Sequence, residues 1–196
     1  MTDDVARAAA AVRDGDLVVY PTETVYGLGA DALSEPAIER AFAAKRRDRD
    51  KPISLAVPNV DAALDYVRAT DREVRFMREF LPGPVTVVCE KRPVVPDALT
   101  GGRERVGVRV PDHEVALALL REVAPITATS ANVSGRPSAT RTDDLDPEIR
   151  DAAAVVLDGG ETGGTGSTVV NVETGEILRR GANAEEVEAW LAANPE

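Results

Sequence analysis

Four polar segments carry the residue types that could do chemistry. The first, Lys45-Arg46-Arg47-Asp48-Arg49-Asp50-Lys51, holds five basic and two acidic residues, a local +3. Lys45 and Arg47 stand two apart, and two cations converging from one turn suit a polyphosphate, Arg gripping it bidentately and Lys as a point charge. A basic run is also what the negative pole of a helix attracts. Its place directly before the apolar run at residues 53–57 favours the binding role. The other three are Pro21-Thr22-Glu23-Thr24-Val25-Tyr26-Gly27-Leu28-Gly29, residues 129–138 with Ser130, Asn132 and Ser138, and the Gly-rich residues 159–168 leading to Arg179. Polar loops beside strand ends are where ligand sites form on open α/β sheets.

Several chemistries are excluded by what these segments lack. Residues 159–168 hold no Gly-Lys pair and so fail the phosphate-loop pattern, and neither Gly27 nor Gly164 opens a dinucleotide fingerprint. What remains is the capacity of glycines to let backbone N–H groups, with the Ser167 and Thr168 hydroxyls, approach an anion closely. No G-x-S-x-G surrounds Ser130, and His113 is the single histidine, which argues against a serine hydrolase. Cys89 is the single cysteine, so an intrachain disulfide, a Cys/His zinc cluster and a Cys–His nucleophile are all disfavoured. It reads as a silent residue of a strand.

The elements that must position these segments alternate along the chain. Residues 3–12 read as a helix, 17–20 as a strand, and Ser34 with Pro36 opens a helix carrying Ile38, Ala41, Phe42 and Lys45 at helical spacing. Residues 53–57 form a strand. Asn59 caps a helix through Val67, and Asp71 begins another with Val74, Met77 and Leu81 inward. Pro82-Gly83-Pro84 turns into a strand over 85–90; strands at 106–110, 126–129 and 155–157 follow, with a helix over 115–123 capped by Asp112. A hairpin joins 168–172 to 177–180, and a last helix is capped by Asn183 with Glu186 three residues on. Interleaved strands and helices predict an α/β domain with a twisted mixed sheet, and no composition break marks an internal boundary.

Composition bounds the surroundings. The 196 residues carry 34 acidic and 23 basic side chains, a formal charge of −11, and the basic set is 20 Arg against 3 Lys. So negative a chain disfavours nonspecific phosphate-backbone binding and suits a salt-rich cytosol that screens self-repulsion. The start lacks a basic leader region, and no apolar run approaches a membrane span, which predicts a cytoplasmic protein without membrane attachment.

Taken together, the motifs resemble a family. The segment Pro21–Gly29 quoted above, Lys45-x-Arg47 with Pro52 five residues on, Pro82-Gly83-Pro84-Val85-Thr86, Val108-Arg109-Val110-Pro111, Ser130-Ala131-Asn132 with Ser134-Gly135-Arg136-Pro137-Ser138, and Ser167-Thr168-Val169 followed by Leu178-Arg179 closely resemble the YrdC/TsaC family of L-threonylcarbamoyladenylate synthases. The likeness keeps the family's order across about residues 5–190. It implies a single YrdC-like domain over 1–196, an α/β fold with a twisted mixed sheet and flanking helices around a concave, positively charged cavity. It implies a nucleotidyltransferase that converts ATP, L-threonine and bicarbonate or CO2 to threonylcarbamoyl-AMP and pyrophosphate, the first step of N6-threonylcarbamoyladenosine modification of tRNA. Residue by residue, it implies that Lys45 and Arg47 grip the phosphates as the catalytic pair. Arg49, Ser130, Asn132, Ser138 and Arg179 complete the ATP site, and Thr22, Arg109 and Ser167 hold threonine. Mg2+ would arrive with ATP, with no metal ligand assigned on the protein. A downstream tRNA threonylcarbamoyl transferase complex would be a transient partner, and a weak contact with tRNA or other RNA is a further expectation.

Three positions depart from the family pattern. Ala56 stands where relatives often carry His, Arg105 where a small hydroxyl residue is common, and Arg49 adds a cation to the phosphate loop. Altered affinity is the expectation. The chain ends at Glu196 and resembles the single-domain form, so a lid would have to come from residues 45–51 or 159–166. The alternative of another class is an RNA-binding module of the same fold, for double-stranded RNA or tRNA and without adenylation. Against it stand the −11 charge, few aromatics for stacking and no long basic stripe. A carbamoyl-adenylate-forming domain of a hydrogenase maturation factor shares the fold but comes with Cys-rich zinc modules.

Overall fold

The computed structural model of the chain describes residues 2–195. Ten strands make one mixed sheet: β1 (Leu17–Tyr20), β2 (Gly27–Gly29), β3 (Ser54–Ala56), β4 (Val67–Arg68), β5 (Val85–Lys91), β6 (Arg105–Arg109), β7 (Ile126–Ser130), β8 (Ala153–Val156), β9 (Thr168–Asn171) and β10 (Glu176–Arg179). They lie side by side as β10-β9-β5-β6-β3-β7-β2-β1-β8, with β4 paired to β5. The pairs β1–β8, β3–β6 and β5–β9 are parallel, the rest antiparallel. The helices are α1 (Thr2–Arg13), α2 (Glu35–Ala44), α3 (Val60–Ala63), α4 (Asp71–Phe80), α5 (Asp97–Thr100), α6 (Glu114–Glu122), α7 (Pro147–Ala152) and α8 (Ala184–Ala193).

The two faces of the sheet are unequally covered, and side-chain alternation along each strand shows why. Leu55, Val85, Val87, Cys89, Val106, Val108, Val170 and Val172 point one way and are buried with Ile38 and Phe42 of α2, Phe76 and Met77 of α4, and Val187 and Trp190 of α8. Leu17, Val19 and Leu28 continue that face under α2 and α7. On the opposite face α1 and α6 cover Val18, Tyr20, Ala56 and Ile126. The remainder of that face bears Ser54, Thr86, Val88, Gly107, Arg109, Ala128 and Val169, and there the sheet stays open as a cavity. Cys89 lies in the core of β5, as read from the sequence, its thiol pushed up by burial.

Several elements differ from the sequence expectation. The helix after Asn59 is one turn long, because β-branched Val67 instead pairs with Lys91 as strand β4. Helix α4 is capped by Thr70 in a reciprocal capping box with Glu73, and α6 by His113, whose Nδ1 accepts from Val115 N at 3.2 Å. Asn183 sits at φ +59 and makes no side-chain cap, so the expected capping box at α8 does not form. The segment Gly27-Leu28-Gly29 is a strand because β1 and β7 pair with it on either side, a tertiary fact invisible in its composition. Helix α7 carried legible signals that sequence reading passed over: Pro147 opens it and the Asp146 side chain accepts from Glu148 N at 3.1 Å.

Candidate active site

The cavity on the open sheet face has a volume of about 860 Å3, a size that suits a nucleotide-sized ligand. Its floor is kept low by glycine. A Cβ on Gly107 would stand 2.2 Å from Ser54 Oγ, and one on Gly27 2.8 Å from the Tyr20 ring. Arg47, Lys51, Arg103, Arg105, Arg109 and Arg179 all reach its lining, with Asp50 the one carboxylate among the lining residues described.

At one end three segments meet. Arg109, 9% exposed, donates from Nη2 to Glu23 Oε1 at 2.9 Å and to Thr24 Oγ1 at 2.7 Å. The Thr22 hydroxyl donates to Val25 O at 2.6 Å and lies 2.9 Å from Thr24 Oγ1. One hydroxyl has one proton, so Thr24 must donate across to Thr22, and a directed chain runs from the guanidinium through both threonines to Val25 O. Beside it, Ser167 Oγ lies 3.0 Å from Thr86 Oγ1, and Arg179 Nη2 donates to Ser167 Oγ at 2.9 Å and to Ser167 O at 2.8 Å. Arg179 is held below the usual guanidinium range by burial, then by the charges of Arg109 and Arg47. Burial also lowers Arg47, which donates to the carbonyls of Lys51 (2.8 Å) and Pro52 (3.0 Å) and so ties down its own loop.

Seven of the residues singled out from sequence thus share one cavity: Thr22, Arg47, Arg109, Ser130, Ser138, Ser167 and Arg179. Three do not reach the lining. Lys45 is 1% exposed, and its Nζ donates to Ser130 O, to Asn132 O at 2.8 Å and to Asn132 Oδ1 at 3.4 Å. In this structure Lys45 thus clamps the loop that follows β7. Burial, then the charge of Arg47, pushes Lys45 down from 10.5 to about 7. Asn132 is buried as well; its Nδ2 donates to Val133 O and Arg136 O, and its Oδ1 accepts from Ser130 Oγ, so it fastens the same loop. Arg49 is exposed and paired to Glu39 on α2, away from the cavity.

The departures resolve in the same way. Ala56 is packed in the core under α1 and α6, and Ser54 is the β3 residue that reaches the cavity. Arg105 is engaged by Glu73 (3.1 Å), Asn171 (3.3 Å), Val88 O (3.1 Å) and Glu173, so it binds the cavity wall together. The Gly-rich loop is stapled rather than free. Tyr26 Oη donates to Gly160 O at 2.7 Å and accepts from Gly159 N at 3.1 Å, while Gly163 and Gly164 donate to Glu23 O and Thr24 O. Those N–H groups are unavailable to an anion, and the Thr168 hydroxyl is engaged by Ala182 O and Gly181 N. Sequence reading missed Thr24 and Thr86 as lining residues, since only their placement against Arg109 and Ser167 marks them. Among the described residues no group of three or more His, Cys, Asp or Glu is placed to hold a metal.

Fold and lining define an α/β protein with an arginine-bearing cavity on the open half of a mixed sheet. The family profile Sua5–YciO–YrdC, described as telomere recombination, matches residues 10–181, and the chain belongs to this family. It is 41% identical over 187 residues to the threonylcarbamoyl-AMP synthase of Pyrococcus abyssi, covering 92% of this chain and 55% of that protein. It is 39% identical over 197 residues to the synthase of Bacillus subtilis, covering 95% of this chain and 56% of the other. The chain therefore spans about half the length of these curated relatives. The crystal structure of P. abyssi Sua5 complexed with L-threonine superposes with a TM-score of 0.86 at 38% identity, covering 95% of this chain and 58% of that one.

Proposed function

We propose that this chain is a threonylcarbamoyl-AMP-forming enzyme, a nucleotidyltransferase that joins ATP, L-threonine and bicarbonate or CO2 and releases pyrophosphate. The observation that carries the reading is the convergence of Arg47, Arg109 and Arg179 with the Thr22 and Ser167 hydroxyls in one cavity. The relatives named above support it. Threonine's amine becomes a carbamate, whose oxygen attacks the α-phosphorus of ATP and expels pyrophosphate. Such a displacement calls for positioning and charge neutralisation more than for a covalent nucleophile. Arg109 receives the carboxylate of threonine near Thr22 and Ser167. Arg47 and Arg179 neutralise the phosphates, with Ser130 and Ser138 along the nucleotide. Lys45 and Asn132 act from below, holding the loop that presents Ser130. Mg2+ bound to ATP would add charge neutralisation from the phosphate side.

The product would pass to a tRNA threonylcarbamoyl transferase in the cytoplasm. Among the described residues no helix is long and apolar enough to cross a membrane. The test is pyrophosphate release from ATP and bicarbonate, comparing threonine with serine and alanine. Release that depends on threonine is expected; release indifferent to the amino acid, or none, would overturn the reading.

A further inference from the structure

His113 is the single histidine of the chain, and its ring serves two elements at once. As the N-cap of α6 it accepts from Val115 N through Nδ1 at 3.2 Å. A ring nitrogen that accepts carries no proton, so the cap requires the neutral imidazole with its hydrogen on Nε2. The same ring walls in Gly159. A Cβ on that glycine would stand 2.6 Å from Pro21 Cγ and 2.9 Å from His113 Cε1, so its backbone lies between the two rings. Gly159 N donates to Tyr26 Oη at 3.1 Å, and Pro21 leads into Thr22 at the cavity. One imidazole thus joins the first turn of α6, the Gly-rich loop and the segment that carries Thr22.

A second proton would have to enter at Nδ1, where it turns the cap's acceptor into a donor facing the Val115 N–H. It would also set a cation on the positive pole of a nine-residue helix. The charges around the ring come from each element packed there. Asp112 and Glu114 flank it in the chain and are exposed. Glu23 acts on it from the Pro21–Gly29 segment but is engaged by Arg109 at 2.9 Å. Asp158 adjoins Gly159, accepts from Gly160 N at 2.9 Å and feels the charge of Arg141. Burial outweighs the pull of Glu23, Glu114 and Asp112 and holds His113 below the usual histidine range. The neutral cap therefore persists at neutral pH and is lost only in acid.

We infer that His113 is a proton-sensitive latch: neutral, it caps α6 and keeps Gly159 in place; protonated, it gives up the cap, turns its ring and frees the Gly-rich loop from the segment carrying Thr22. Resting on the synthase reading above, acid should then weaken threonine binding through the loosened Thr22 segment.

The test follows the His113 ring protons by NMR, with amide exchange at Gly163 and Gly164 corrected for its intrinsic pH dependence, from about pH 8 to about pH 5. In the wild type, protection of both glycines should fall at least about fivefold as His113 titrates, and calorimetric affinity for L-threonine should fall in step. His113→Asn supplies a cap acceptor that does not titrate, so its corrected exchange and threonine affinity should stay within about twofold across the range, whatever their level. Equal pH dependence in both proteins overturns the latch. So does wild-type behaviour alone, if His113 titrates without any change at Gly163 and Gly164, or stays neutral down to about pH 5. Threonine-dependent pyrophosphate release with a loop indifferent to pH would reject the latch alone; loop protection that follows His113 in a protein that binds no threonine would reject the synthase reading alone.

Discussion

Lys45 shows how depth decides the role of a cation. Its ammonium is caged by two main-chain carbonyls and the Asn132 side chain, so removing it strips donors from Ser130 O and Asn132 O and opens a void. Lys45→Ala should cost about 2–4 kcal/mol in urea unfolding, from unmatched acceptors and lost packing together. An unchanged midpoint would refute the clamp. The pH dependence has a definite sign. With the folded pKa pushed down from 10.5 to about 7, the unfolded chain holds the extra proton between those values. Stability should therefore rise with pH through that window, and the burden is fullest below about 7. Lys45→Gln should flatten this slope. Arg47 makes the contrast: it bonds only carbonyls of its own loop, so Arg47→Ala should shift unfolding by less than about 1 kcal/mol yet abolish pyrophosphate release. Near-normal turnover in that variant would remove Arg47 from the phosphate site. Sequence located both residues, but the cage that separates their roles comes from a loop 85 residues away.

The strands carry the site through their alternation. On β6, Arg105, Gly107 and Arg109 face the cavity while Val106 and Val108 face the core, so one strand supplies both packing and chemistry. Gly107→Ala would drive a methyl to within 2.2 Å of Ser54 Oγ and 2.9 Å of the Thr86 methyl, and should cost about 1–3 kcal/mol. Combining it with Ser54→Gly should restore part of the loss in thermal unfolding; a double variant no better than the single one would show that the strain lies elsewhere. The Gly-rich loop depends on Tyr26. Tyr26→Phe removes the bonds to Gly159 N, Gly160 O and Asp158, and amide exchange at Gly163 and Gly164 should accelerate at least about tenfold. Unaltered exchange would mean the bonds to Glu23 O and Thr24 O hold the loop unaided. The strands rich in Val were legible because period-2 burial writes itself into residue type, whereas Gly27–Gly29 takes its strand character wholly from its neighbours.

At the scale of the molecule, a charge of −11 surrounds a cavity whose lining includes five arginines. Added KCl should screen the acidic surface and raise the thermal midpoint from low to molar salt; a flat or falling midpoint would sever the composition from salt tolerance. By itself the sequence determined the α/β class, the strands of the core, the exclusion of Cys- and His-based chemistries, and the family whose motifs lie in order along it. These follow from local composition and spacing, which short-range physics reads directly. Only the tertiary structure decided which polar residues face the cavity: it kept Arg109 and Arg179, set Lys45 and Asn132 into the loop that follows β7, and turned Arg49 out to Glu39. It also set Glu23 against Arg109 across 86 positions of chain. The reason is that a side chain's role as ligand, clamp or solvated charge depends on its depth and on partners brought from distant strands, and neither is encoded in the residue's own neighbourhood.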